Sequence, residues 1–238
     1  MKQPLLSVIL SSYNNLDLLH RSLSSVLEQT MIDDIEILIC DNGSPDMKFR
    51  KMLAEIDGLN EKVRVIWGSI EEPEERAKYC VLASMINRGM DEASGKYFRY
   101  LCDTDEFTPN SCKKLVSELE NDSSIDLIWG MVQHVRDGKD QPVDQFVAKT
   151  QAEIQRDLDN FNFINHNSVV HRQTGVRWDT RAIAWKKADW LFWQRLLRSG
   201  FQFSNCPAVV EKYHWNDGGF GIHDSDGMSL IESLKVRL

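Results

Sequence analysis

Several features are missing from this chain, and each absence closes off a class of protein. No apolar run in the 238 residues approaches the roughly 20 needed to cross a bilayer. The amino terminus, Met1-Lys2-Gln3-Pro4 followed by an apolar stretch over 5–10, is too short and badly flanked for a secretory signal. The five cysteines stand at 40, 80, 102, 112 and 206, with no Cys-x-x-Cys pair. Neither a zinc site nor a disulfide framework is indicated, and a reducing cytoplasm is the expected compartment. No G-x-G-x-x-G follows the first predicted strand and no G-x-x-x-x-G-K-[ST] occurs anywhere, which counts against a dinucleotide dehydrogenase and a P-loop NTPase. Basic charge is scarce: 28 Lys and Arg against 36 Asp and Glu leave a net −8, which disfavours broad binding to nucleic acid or anionic membrane. Internal repeats, low-complexity tracts and linkers are absent too, so one compact domain is expected.

What the chain does have is an alternation of short apolar runs and amphipathic stretches. Residues 5–12, 35–40, 63–67 and 96–102 read as buried strands. Between them, Leu16, Leu19, Leu23, Val26 and Leu27 fall on one helical face behind a cap at Asn14 or Asn15. Residues 47–56 are weakly helical, and 81–93 form a helix that stops before Gly95. A β-α-β-α-β-α-β order implies a mostly parallel sheet with helices on both faces. Beyond residue 106 the pattern weakens. Residues 115–119 are helical, 125–132 a strand, 136–144 a polar loop, 161–170 mixed, 188–198 a helix and 225–238 a short terminal helix.

Three predicted strands end in polar groups at what is one edge of the sheet, the position where open α/β sheets bind ligands. The first ends in Ser11-Ser12-Tyr13-Asn14, whose ring can pack on a base. The second ends in Asp41-Asn42-Gly43-Ser44, whose carboxylate can accept from a ring N–H. The fourth ends in Asp103-Thr104-Asp105-Glu106. If the strand continues, Asp103 and Asp105 point to one side, two hard oxygen ligands suited to Mg²⁺ or Mn²⁺ and so to a diphosphate.

These segments, with Asn87-Arg88-Gly89-Met90-Asp91 ahead of the fourth strand, resemble family-2 glycosyltransferases of the GT-A fold, in order and in spacing. The resemblance covers residues 5 to about 120 and continues more weakly to about 215. It implies a single GT-A domain over 1–238, with a nucleotide-binding half to residue 106 and an acceptor-side half beyond it. It implies an inverting enzyme that moves a sugar from a nucleotide-diphosphate donor, UDP-linked by expectation, to a saccharide or other hydroxyl acceptor, assisted by Mn²⁺ or Mg²⁺. Ser12, Tyr13, Asp41, Asn87, Asp103 and His166 are then expected at the nucleotide sugar, and Tyr13 and Asp41 at its base. Asp103, Asp105 and His214 are expected at the metal, with His223 the alternative to His214. Asp189, opening the helix at 188–198, takes the place of the catalytic base, though an aspartate there also suits a helix cap. Among Trp185, Trp190, Phe192 and Trp193, mostly core by expectation, one or two can stack on an acceptor sugar. The Gly-rich run at 218–221 suggests a loop that closes over the donor.

Two departures from the family pattern stand out. Ile86 occupies the place of an Arg, for which Arg88 or Lys78 can substitute, and Ala188 occupies the place of a Glu. They keep a second reading open, a nucleotide-sugar or glycan-binding module without chemistry. A phosphotransferase using Asp-x-Asp as nucleophile and acid fits less well, because the pair follows the fourth strand and Phe107 stands where a Thr is expected.

Overall fold

The structure is a computed structural model that describes residues 3–57, 59 and 61–215. His223, the Gly-rich run at 218–221 and the terminal helix expected at 225–238 lie outside the described residues. In chain order the elements are β1 (Leu6–Ser12), α1 (Leu16–Leu27), β2 (Ile35–Asp41), α2 (Met47–Asp57), β3 (Val63–Trp67), the single turn α3 (Pro73–Arg76), α4 (Val81–Glu92), β4 (Tyr97–Cys102), β5 (Glu106–Phe107), α5 (Ser111–Asn121), β6 (Leu127–Arg136), β7 (Lys139–Asp140), α6 (Gln151–Asn160), β8 (Val169–Arg172), α7 (Ala188–Arg198) and β9 (Phe203–Trp215).

All nine strands join one sheet in the order β3-β2-β1-β4-β8-β6-β9-β5, with β7 beside β6. The first four strands are parallel, and so are β6 and β9, which makes most of the registered pairs parallel. Helices cover both faces, giving the single α/β domain anticipated above. β1 shows why its middle is apolar on successive positions. Leu6, Val8 and Leu10 face a core with α1, α2 and α5, whereas Ile9 faces a second core with α4, α6 and α7. A strand buried on both faces favours apolar side chains on both, so the period of two disappears from its sequence, and the buried serines lie toward its ends at Ser7, Ser11 and Ser12. Asn15 caps α1, its side chain accepting from Leu18 N at 3.0 Å. Among the described residues no helix is long and apolar enough to cross a membrane.

The C-terminal half departs most from expectation. β9 runs 13 residues, and its pairing with β6 is broken by two register shifts between Trp129 and Val132. The segment between the predicted polar loop and residue 161 contains α6, closed by a capping box in which Thr150 and Glu153 bond reciprocally.

One buried cation joins the two halves. Arg99 of β4 is fully buried, and its guanidinium lies 3.5 Å from the centre of the Phe107 ring. It donates to Val210 O and Ser111 Oγ, both at 2.8 Å, and to Asn167 O at 3.4 Å. Burial lowers its affinity for a proton. Arg99→Met keeps the apolar stem and strips these acceptors of their donor. At roughly 1–3 kcal/mol for each buried group left bare, we expect a loss of about 2–5 kcal/mol in stability. Urea denaturation measures it, and an unchanged midpoint would show that the guanidinium carries no net stabilisation.

Candidate functional site

The ends of β1, β2 and β4 are neighbours, Ser12 registering with Asp41 and Ser11 with Cys102. The chain turns at each end. Asn42 N bonds Ser12 O at 2.9 Å and Asp103 N bonds Ser11 O at 3.0 Å. Gly43 takes φ +79°, and a β-carbon there would sit 2.1 Å from Ser69 O, so the second turn requires glycine for conformation and space alike. Asn14 ties this turn to the end of β1: its N–H donates to Ser44 Oγ at 3.0 Å and its Oδ1 accepts from Asp46 N at 3.1 Å.

Tyr13 is 41% exposed, with the Arg76 guanidinium 4.7 Å from its ring centre. Arg76 also donates to Asn42 O at 2.6 Å. Both line a cleft of about 500 Å³ whose walls include Tyr79 and Trp185, the latter 60% exposed. Arg76 was not expected here. Arg88 instead donates to Trp67 O at 2.7 Å, and Lys78 pairs with Glu75 at 2.5 Å. The sequence signal that finds Arg76 is its place on the one-turn α3 behind Pro73, inside what reads as an acidic loop. Arg21 of α1 is a second unanticipated cation. It donates to Thr104 O and stands 3.9 Å from Glu106.

Asp41 is fully buried. Its Oδ1 accepts from Ser44 N at 3.1 Å and its Oδ2 from Arg50 at 3.0 Å. It braces the turn, whereas the acceptor left without a partner there is the buried Asn42 Oδ1. Asn87 also turns inward, its amide closing a two-bond ring with the backbone of Trp178 at 2.8 and 3.0 Å. That geometry holds α4 against the 178–181 segment and takes up Asn87 Oδ1 and one of its amide N–H groups.

The Asp-x-Asp pair does not converge as strand alternation implies. β4 ends at Cys102 and the chain turns, with Asp105 N bonding Cys102 O at 3.1 Å. Asp103 turns to the end of β1 and accepts from Ser12 Oγ at 2.8 Å and Tyr13 N at 3.0 Å. Burial pushes its carboxyl up to about 6 against those bonds. Asp105 points into the interior and is 2% exposed. It accepts from His214 N at 2.9 Å, Asn167 Nδ2 at 2.9 Å and Thr104 Oγ1 at 3.0 Å. The His214 imidazole turns to Glu106, Nε2 to Oε1 at 2.6 Å, and this bond holds Glu106 below the usual carboxylate range.

Oxygen and imidazole donors suit Mg²⁺ or Mn²⁺ in kind. The set expected at Asp103, Asp105 and His214 is not assembled, however, because both Asp105 oxygens and the His214 ring are taken up by protein partners. Among the described residues no group of three or more His, Cys, Asp or Glu forms a ligand set.

Behind Asp105 lies Glu211 of β9, fully buried. Asn167 Nδ2 donates to it at 3.0 Å while also serving Asp105. Its Oε2 has no partner among the described residues. Burial, then the charge of Asp105, pushes Glu211 up to about 8, so it holds its proton at neutral pH. His166, expected at the donor, packs edge-on to Tyr100 with ring centroids 5.5 Å apart. Its Nε2 is buried without a partner, and burial lowers the ring to about 4.

Asp189 lies in the first turn of α7, two residues past the capping position, which Lys187 holds. Its Oδ1 accepts from Trp190 N at 2.7 Å and its Oδ2 from Asn162 Nδ2 at 2.9 Å. Burial raises its pKa, the direction a general base needs. It lines a cavity of about 510 Å³ between β6 and the 143–149 and 162–168 segments. Phe192 and Trp193 are core, as expected.

Glu211 sets a pH dependence. Its folded pKa of about 8 exceeds its ordinary 4.5, so its contribution is fully present below 4.5 and is lost as pH rises through 8. Glu211→Gln should remove that slope. Denaturation of both proteins between pH 5 and 9 checks it, with the wild type losing stability relative to the variant as pH rises. Parallel curves would mean that Glu211 is ionised in the fold.

Comparison with known proteins accords with this architecture. The model of the family described as Glycosyl transferase family 2 matches residues 7–190. CgeD of Bacillus subtilis is 29% identical over 203 residues, covering 80% of this chain and 45% of that protein. An uncharacterised glycosyltransferase of Haemophilus influenzae is 26% identical over 224 residues, covering 88% of this chain and 65% of that protein. The chain therefore spans between about half and two thirds of the length of these relatives. Among solved structures, Staphylococcus aureus TarS 1–349 in complex with UDP-GlcNAc superposes with a TM-score of 0.63 at 14% identity, covering 98% of this chain and 66% of that one. The same fragment in complex with UDP gives 0.63 at 15%, covering 97% and 65%. The chain belongs to glycosyl transferase family 2.

Proposed function

We propose that this domain transfers a sugar from a UDP-linked donor to an acceptor hydroxyl with inversion at the anomeric carbon, with Asp189 as the general base. The observation that carries this reading is the setting of Asp189, a carboxylate raised by burial, fixed by Asn162 and facing a cavity. In one displacement the acceptor oxygen bonds the anomeric carbon as the bond to the diphosphate oxygen breaks. The hydroxyl proton passes to Asp189 and UDP leaves with the electron pair. The nucleotide half of the reading rests on the cleft at the ends of β1 and β2, and is supported by the likeness to TarS, solved with UDP and with UDP-GlcNAc. Tyr13 offers the base a ring, Arg76 backs that ring, and Asn42 Oδ1 is the acceptor available to a ring N–H. Asp103 stands at the ribose and diphosphate side, with Arg21 the nearby cation. Mn²⁺ or Mg²⁺, implied by the family resemblance, stays outside this reading because its expected ligands are otherwise engaged.

The likeness to TarS solved with UDP and with UDP-GlcNAc favours a uracil base, so UDP should bind more tightly than GDP. Stacking is worth roughly 1–3 kcal/mol per base, so Tyr13→Ala should weaken UDP about 5- to 150-fold. Calorimetry decides both points, and GDP binding as tightly as UDP would mean that the turn after β2 has been misread.

Asp189→Asn keeps an acceptor for Trp190 N and changes little else in the fold. Turnover should fall by roughly 10²–10⁴-fold at nearly unchanged UDP affinity and melting temperature. Donor-sugar turnover, measured by release of UDP, reads this directly. Wild-type turnover in the variant would leave the transfer without an identified base, whereas no turnover in the wild type would favour the binding-module reading, for which the absence of Glu at 188 is the sequence signal.

A further inference from the structure

Resting on Asp189 as the base, we infer that the cavity in front of it is the acceptor subsite and that it selects an uncharged saccharide over a phosphate-bearing acceptor. The cavity has a built wall. Asn205 of β9 fastens the 143–149 segment, its Nδ2 donating to Val147 O at 2.8 Å and its Oδ1 accepting from Lys149 N at 3.2 Å. Its volume of about 510 Å³ lies within the range of small-molecule sites.

The charges of the lining decide the ligand class. Lys149 is the only Lys or Arg among the described residues that line it, and it is held in an ion pair with Asp157, which also takes Arg156. Its Nζ stands 2.7 Å from Asp157 Oδ2 and 5.0 Å from the centre of the Phe163 ring. The carboxylates in the lining are Asp144 and Asp189. The remaining ring that can carry charge, His134, accepts from Trp215 Nε1 at 3.2 Å through its Nδ1. Among the described residues a phosphate entering here meets two carboxylates against one lysine already held by Asp157, an arrangement that opposes it by like charge.

The neutral lining matches a sugar. Gln145 and Asn165 present amides, each able both to donate to and accept from hydroxyl groups. Phe163, edge-on to Trp129 with centroids 5.8 Å apart, supplies an apolar face for a sugar's C–H surface. A site built to hydrogen-bond hydroxyls also discriminates strongly against ligands that lack them.

Saturation-transfer NMR on the wild-type chain, with UDP present, tests this with four probes: methyl β-glucoside, methyl β-N-acetylglucosaminide, glucose 6-phosphate and glycerol 3-phosphate. The two methyl glycosides should receive saturation and the two phosphate esters should not. Phe163→Ala and Gln145→Ala should each weaken the glycosides about tenfold, with melting temperature checked for the first. Asp144→Lys should admit the phosphate esters. Phosphate esters binding the wild type as well as the glycosides, no probe binding, or both weakening variants behaving as wild type would each overturn the inference. Its failure is separable from failure of the base. A loss of turnover in Asp189→Asn with no glycoside bound keeps the base and removes the subsite. Glycoside binding with wild-type turnover in Asp189→Asn removes the base and keeps the binding site.

Discussion

One amide group holds the centre of this structure together. Asn167 Nδ2 serves two buried carboxylates, Asp105 and Glu211, and Asn167 Oδ1 accepts from Cys102 N at 3.0 Å. Its own carbonyl receives Arg99. Four pieces of chain therefore meet at one residue: the end of β4, the turn that follows it, the 3₁₀ turn His166–Ser168 and β9. Two unprotonated carboxylates so deep would repel each other at high cost in a low-dielectric interior. Raising Glu211 until it keeps its proton removes one of the two charges, and the bonds from His214 N, Thr104 and Asn167 favour the other. A polar network of this kind is stable when its members are satisfied and costly when one is missing. It therefore fixes the end of β4, and with it Asp103, more firmly than the short strand β5 could.

From that fixed point the two sides of the site diverge. Toward β1 and β2 the chain ends present Tyr13, Asn42 and Asp103, backed by Arg76. Toward β6 and α7 the 162–168 segment presents Asn162, Phe163 and Asn165 to the cavity that holds Asp189. Asn167 sits within the same segment yet faces the sheet. The clamp and the cavity wall are thus one piece of chain, and the position of Asp189's partner Asn162 depends on it.

Much of the polar chemistry that looks functional by position is structural by contact. Asp41 pairs with Arg50, Asn87 brackets Trp178, and Asp105 receives three donors. In each case the side chain stands at a strand or helix end where backbone N–H and C=O groups run out of regular partners. A short polar side chain there satisfies the backbone before it can meet a ligand. In the proposed reading the ligand meets Tyr13, Asn42 Oδ1 and Asp103, joined by arginines from elements other than the strands, and Asp189, though bonded at both oxygens, differs from Asp41 and Asp105 in lining a cavity.

By itself the sequence determined the first half of the fold. Strands buried on both faces leave continuous apolar runs at 5–12, 35–40 and 96–102, and helices leave a 3.6-residue period, signals that are local and survive without any partner. It also put Ser12, Tyr13 and Asp103 at the ends of neighbouring strands and Asp189 at the start of a helix, since strand ends and helix starts can be read from turn residues. The tertiary structure alone decided the rest. Whether Asp105 points out to a metal or in to Asn167 depends on a turn after Cys102 and on β9, which lies a hundred residues away in the chain. Arg76, on a single turn, and the 143–149 wall reach the site with no periodicity to announce them, and Arg21 comes from α1, whose apolar period says nothing of what its polar side chains meet. A side chain's residue type fixes what it can bond. Which bond it makes is set by neighbours distant in sequence, because a buried polar group takes whichever partner the packing brings within 3 Å.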